Sequence, residues 1–139
     1  MSMTPHQIEL VQSTFRTVQP MAATAADIFY ARLFEIEPTA TALFKGDMRE
    51  QGHKLMQVLA VAVGGLSSLP TLVPIVQQLG VRHVGYGVRA EHYEPVRQAL
   101  LWMLALTLQD AYTDEVRSAW ITAYVMLAGV MKEAAYGSP

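Results

Sequence analysis

The sequence predicts an all-α fold, and three observations carry that expectation. Apolar residues recur at three- and four-residue steps, as at Ile8, Val11, Phe15 and Val18, which gathers them on one face of a helix. No segment shows the sustained two-residue alternation of a half-buried strand. Capping and breaking residues then divide the periodic stretches into about six helical pieces.

Thr4-Pro5-His6-Gln7 opens the first helix. Thr4 caps it, Pro5 takes the first helical position where its missing N–H costs nothing, and Gln7 completes a capping box. Pro20 breaks this helix and starts a second, in which Ala25, Ile28, Phe29, Leu33 and Ile36 keep the period until Pro38. A short turn from Thr39 to Leu43 leads to Phe44, and Lys45-Gly46-Asp47 reads as a loop. A third helix begins near Arg49. Its expected buried face is Leu55, Val58, Leu59, Ala62 and Val63, and Gly64-Gly65 through Ser67-Ser68 loosen its end. Pro70 starts a short helical piece from Thr71 to Leu79, after which Gly80, Gly85 and Gly87 mark an irregular stretch around His83. A fifth helix is expected from about Tyr93 to Asp110, with Val96, Ala99, Leu100, Met103 and Leu104 inward. Thr113 caps the last one, where Asp114 and Glu115 suit the positive end of the helix dipole. Val116, Trp120, Ala123, Tyr124, Leu127 and Val130 face inward along it. An irregular middle between long outer helices predicts a fold bent around something, not a symmetric bundle.

At 139 residues the chain fits one domain, 1–139. Its 52% apolar share exceeds the ~45–50% usual in globular chains, a surplus that either enlarges the core or lines an apolar pocket. A net charge of −2 without any Lys/Arg block argues against nucleic acid or an anionic membrane as partner. The lack of cysteine excludes disulfides, thiolate metal sites and a cysteine nucleophile, and suits a reducing compartment. No secretion signal is legible at the N-terminus, and the apolar run Val58 to Leu66 is far below the ~18 residues of a membrane span. A soluble, cytoplasmic protein is expected.

Of the 4 histidines, His6 lies in a capping turn, His53 follows Gly52 on a polar helix face, and His92 beside Glu91 reads as solvated. No pair has chelating spacing on one helix and no carboxylate completes a zinc pattern. A lone histidine such as His83 is more often a satisfied core or surface residue than a ligand. There is no G-x-S-x-G elbow, no phosphate loop and no G-x-G-x-x-G after a strand, and Gly85-Tyr86-Gly87 reads as a turn. Glu35 and Glu37 point to different sides of a helix end, and the 8 methionines are scattered as core filling. Hydrolase chemistry finds no support.

Several segments together resemble the bacterial single-domain globins and the globin domain of flavohaemoglobins. They are Ile28-Phe29-Tyr30-Ala31-Arg32-Leu33-Phe34 with Glu37-Pro38 and Leu43-Phe44; Gln51-Gly52-His53-Lys54-Leu55; Leu79-Gly80-Val81-Arg82-His83 with Tyr86-Gly87 and His92-Tyr93; and Ala119-Trp120 with Ala123-Tyr124. The resemblance implies a globin fold, helices packed around a pocket for haem b, with His83 as the iron ligand and the opposite face open to oxygen and other diatomic gases. Phe44 matches the phenylalanine that wedges against the porphyrin, and Leu33, Phe44, Leu55, Val58, Leu79 and Val96 are expected wall residues.

Spacing decides the gas side. The family's polar residue precedes an apolar one over the iron by four positions, one turn on the same face. Gln51 and Leu55 satisfy that step; His53 is rotated about 200° away at ~100° per residue. Tyr30 matches the tyrosine that reaches the gas from the second helix, so Tyr30 and Gln51 are the expected hydrogen-bond donors. Tyr93 matches a tyrosine that flavohaemoglobins place on the histidine side. Their glutamate on the last helix, which hydrogen-bonds the ligating histidine, falls at Ala135 here, and Glu133 is again about 200° off in register. The sequence ends at Pro139 without a flavin or nicotinamide domain, so nitric oxide dioxygenase activity would need an external reductase. The competing expectations are a haem-based gas sensor and a haemless interaction module that keeps only the fold.

Overall fold

In a computed structural model, which describes residues 3–44 and 46–137, the chain is a set of packed helices with no strand among the described residues. They are α1 (Pro5–Val18), α2 (Ala22–Ile36), α3 (Met48–Gly65), α4 (Leu69–Gly85), α5 (Tyr93–Leu108) and α6 (Asp114–Tyr136), with short 3-10 turns between several of them. The capping chemistry acts as expected. The Gln7 N–H donates to Thr4 Oγ1 at 3.1 Å while the Thr4 N–H donates to Gln7 Oε1 at 3.0 Å. The Val116 N–H donates to Thr113 Oγ1 at 3.1 Å. Asp47 is the extended residue that caps α3, accepting from the Arg49 N–H at 2.9 Å; Lys45, in the expected loop before it, lies outside the described residues.

Helix α1 packs on α6, α2 on both α3 and α5, and α4 along α6. The core between them includes Val11, Val18, Ala25, Ala99, Met103, Leu104 and Ala119, all 0% exposed. The Trp120 indole N–H donates to Thr14 Oγ1 at 2.9 Å, which satisfies a buried polar pair and ties α6 to α1.

Two expectations about elements are corrected. The short helix and irregular stretch around His83 are one continuous helix, α4, with His83 in its last turn. Gly80 stays helical because its missing side chain lets α4 lie against the backbone of α6: a Cβ there would stand 2.4 Å from the Met131 carbonyl oxygen. That packing outweighs the ~1 kcal/mol propensity cost of an interior glycine. Helix α4 ends at Gly85 and is closed by Gly87, with φ +92°, in a Schellman motif: the Val88 N–H donates to the His83 carbonyl at 3.0 Å and the Gly87 N–H to that of Val84 at 3.0 Å. Helix α5 stops at Leu108, short of Asp110, because Gln109 turns to a positive φ of 51°.

A second close crossing sets the place of α3. A Cβ on Gly52 would stand 2.9 Å from Ala26 Cβ on α2, and neither atom can rotate away. Gly52→Ala is expected to cost about 1–3 kcal/mol in denaturant unfolding, as overpacking does, with the gain in helix propensity too small to cancel it.

Candidate functional site

Tyr30, on the inner face of α2, is 8% exposed and sits in an aromatic cluster. Its ring meets Phe29 and Phe44 edge-on, both at 5.1 Å between centroids, and stacks with Phe34 at 5.9 Å. Phe44 reaches this cluster because Pro38 ends α2 and the turn Pro38–Leu43 folds the chain back over it. The Tyr30 hydroxyl donates to the Gln51 main-chain carbonyl across 3.4 Å, a long contact that leaves it free to turn to a better acceptor. Burial pushes this phenol up to about 12, so it stays a protonated donor. Gln51 and Leu55 are half-buried one turn apart on α3, whereas His53 is exposed. The structure therefore brings Tyr30, Phe44 and Gln51 together.

His83 forms a second group with Leu79. Its Nδ1 lies 2.7 Å from the Leu79 carbonyl, an acceptor only, so Nδ1 carries the proton and Nε2 keeps its lone pair. Nε2 has no hydrogen-bond partner among the described residues. The imidazole is half-buried, and desolvation, aided by Arg82, outweighs the Leu79 hydrogen bond and holds it below the usual histidine range. A neutral imidazole with a fixed ring and a free Nε2 is a competent metal ligand. The corner after His83 returns toward the Phe44 turn: a Cβ at Gly87 would lie 3.4 Å from Leu43 Cδ2. No hydrogen bond or ring contact among the described residues joins His83 directly to Tyr30 or Gln51.

Among the expected wall residues, Leu33 is 2% exposed in the core, Phe44, Leu55 and Val96 pack against it, and Leu79 is half-buried. Val58 is corrected: it is 39% exposed, and Leu59 packs inward instead. The two lie about 60° and 40° to either side of Leu55 at ~100° per residue, and Leu59 is the one that meets Val11 and Trp120 around a small apolar cavity. His92 is also corrected, being 9% exposed; its Nδ1 accepts from the Arg89 N–H at 2.9 Å, which closes the turn before α5.

Tyr93 is 7% exposed, and its hydroxyl finds no hydrogen-bond partner among the described residues. Burial, with Tyr136 nearby, pushes it up to about 12. Its carbonyl accepts from the Tyr124 hydroxyl at 2.7 Å, and the Lys132 ammonium stands 5.6 Å over its ring. Sequence reasoning gave no role to Lys132 or Tyr136, although their four-residue spacing, continuing from Tyr124 through Ala128, marks one stripe of α6. A cleft of about 390 Å³ beside Tyr93 contains Glu94 and Arg97. These neutralise each other through contacts of 2.6 and 2.9 Å, which hold the Glu94 carboxyl below its usual range; the pair is structural.

The fold thus carries a half-buried histidine in the last turn of α4, an aromatic-backed tyrosine on α2 and a half-buried glutamine on α3, all within one all-α protein. Similarity to known proteins makes this specific. A family model described as Globin matches residues 27–131. A flavohemoprotein of Xylella fastidiosa (strain Temecula1) is 32% identical over 135 residues, 95% of this chain but 34% of that protein. A neuroglobin of Chaenocephalus aceratus is 27% identical, with 90% of this chain and 87% of that one covered. A solved structure described as an engineered carbene transferase, a variant of a putative nitric oxide dioxygenase from Rhodothermus marinus, superposes with a TM-score of 0.81 at 25% identity. That match covers 94% of this chain and 91% of the other. The chain belongs to the globin family, whose members bind haem. It spans about a third of the length of the flavohemoproteins it matches. No helix among the described residues is long and apolar enough to cross a membrane.

Proposed function

We propose that His83 Nε2 would hold haem b in this globin, and that the Tyr30 hydroxyl and the Gln51 amide would be the hydrogen-bond donors toward oxygen or another diatomic gas. The observation that carries the reading is the 2.7 Å contact between His83 Nδ1 and the Leu79 carbonyl, which fixes the tautomer and orients the ring. Haem supplies the ferrous iron to which gases bind. The chain supplies apolar walls from Leu33, Phe44, Leu55, Leu79, Val96 and Tyr93, and two neutral donors that hold partial negative charge on bound oxygen. Likeness to a flavohemoprotein and to a protein described as a putative nitric oxide dioxygenase supports a further activity. Conversion of nitric oxide and oxygen to nitrate (NO + O2 + e− → NO3−) needs one electron, which an external reductase would supply. A cytoplasmic location agrees with the lack of cysteine.

The deciding experiment is one absorption spectrum of the purified protein, reduced and then exposed to carbon monoxide. A ferrous haem spectrum that shifts with the gas is expected. Protein that remains colourless after reconstitution with hemin overturns the proposal. His53→Leu tests the register of α3: oxygen dissociation in stopped flow should stay nearly unchanged, because that side chain is exposed. A large acceleration would place it in the pocket.

A further inference from the structure

We infer that the cleft between the start of α5 and the second half of α6 binds a small organic anion, a monocarboxylate with a flat apolar body, through the Lys132 ammonium. The inference does not depend on His83, because the cleft shares only Tyr93 with the expected haem wall. The cleft measures about 390 Å³, at the small end of the ~300–1,000 Å³ usual for small-molecule sites. Small side chains make the room. Tyr124, Ala128 and Lys132 follow one another at four-residue steps on one face of α6, and the middle one offers only a methyl group. Ala90, just ahead of α5, is as small, so the space beside Tyr93 stays open.

Charge selects the ligand. The charged side chains lining the cleft are Glu91, Glu94, Arg97 and Lys132. Glu91 is met by Arg89 at 3.0 Å. Both oxygens of Glu94 accept from Arg97, at 2.6 and 2.9 Å. Lys132 stands close enough to add to the lowering of the Glu94 carboxyl that Arg97 leads, yet it enters no salt bridge among the described residues. Its ammonium rests 5.6 Å over the Tyr93 ring instead. The pairs cancel and one positive charge remains. Lys132 is half-buried, and an ammonium in that position keeps part of its desolvation cost until an anion meets it. Tyr93, 7% exposed, adds a second donor without an acceptor in its hydroxyl. The remaining wall is apolar, with Val125 45% exposed beside the buried Ala128. A carboxylate at Lys132, with a ring lying along Val125 and Ala128, answers both the charge and the exposed apolar surface.

The test is titration of the full chain with benzoate, followed by amide NMR on the haem-loaded, ferrous, carbon monoxide-bound protein. Saturable shifts at Glu94, Ala128 and Lys132 are expected, with a Kd of about 1 mM or tighter, which ordinary ligand efficiency allows for a molecule of that size. Benzamide keeps the shape without the charge and should bind at least about ten times more weakly, the factor that one charge-assisted hydrogen bond supplies. Inorganic phosphate, which has charge but no ring, should also bind more weakly than benzoate. Lys132→Met should weaken benzoate binding by at least about tenfold with helicity unchanged, and Lys132→Arg should retain it. Val125→Glu, which sets a carboxylate on the exposed wall, should weaken it as well. Shifts that do not saturate, equal affinity for benzamide, or undiminished binding by Lys132→Met overturns the inference. Phosphate bound as tightly as benzoate overturns the assignment of an apolar ligand body. Wild-type protein that takes up no haem would overturn the functional reading instead, and the same titration of the apo-protein, read at the same amides, would still decide the cleft.

Discussion

His83→Ala is expected to reduce haem affinity by at least about a hundredfold while leaving the protein helical. Groups that merely hydrogen-bond a ligating histidine are each worth about 10- to 100-fold in metal affinity, so removing the ligand costs no less. The helix survives because alanine is the better helix former and His83 is only half-buried in the last turn of α4. Residual binding should come from apolar burial of the porphyrin. Haem transfer to apomyoglobin and circular dichroism, measured side by side, check both parts. A second variant, His83→Gly, leaves a space that added imidazole can fill, and recovery of the wild-type ferrous spectrum on adding it is expected. A variant at this position that keeps its haem and its spectrum without imidazole would show that another residue is the ligand.

Tyr30→Phe should make oxygen leave at least about ten times faster, since a hydrogen bond to a charged acceptor contributes about 1.5–3 kcal/mol and each ~1.4 kcal/mol is tenfold. The substitution preserves the ring contacts with Phe29, Phe34 and Phe44. It forfeits only a 3.4 Å contact to the Gln51 carbonyl, so stability should scarcely change. Carbon monoxide carries less charge when bound and its dissociation should respond much less. Gln51→Leu should have a smaller effect, not additive with the first because both donors address one ligand. With its hydroxyl pushed up to about 12, Tyr30 stays protonated, and wild-type oxygen dissociation should be flat from about pH 6 to about pH 9 as far as this residue sets it. Stopped-flow displacement of both gases checks the set. Equal effects on the two gases would indicate a steric gate, and no effect on either would remove Tyr30 from the site.

Local chemistry was legible wherever the responsible atoms are neighbours in sequence. Thr4 with Gln7 and Thr113 with Val116 cap their helices through contacts three residues apart, and Pro38 ends α2 whatever surrounds it. The four-residue step from Gln51 to Leu55 identified which face of α3 turns inward and left His53 outside, because helical rotation is a property of the backbone alone. The apolar period and the absence of alternation were enough for the all-α class.

What the sequence by itself determined, then, is the set of helices and most of their starts; Tyr30, Phe44, Gln51, Leu55 and His83 became candidates through its resemblance to the bacterial globins. Tertiary structure decided the features whose cause lies far along the chain. Gly80 is a breaker by propensity but helical in fact, because the Met131 backbone fills the space a side chain would take. Val58 and Leu59 are equally apolar and nearly equally inclined, but Leu59 is the one that packs on the core, where it lines a small cavity along with Val11 and Trp120. His92 is polar beside an acid, yet it is buried because its ring closes the turn on Arg89. Tyr136 acquires a partner only when α6 folds back past the end of α4, since the Val88 carbonyl it meets is 48 positions away along the chain. Propensity and period are summed over neighbouring residues, whereas burial and hydrogen-bond partnership depend on which distant surfaces meet, and packing energies of a few kcal/mol override local preferences of about one.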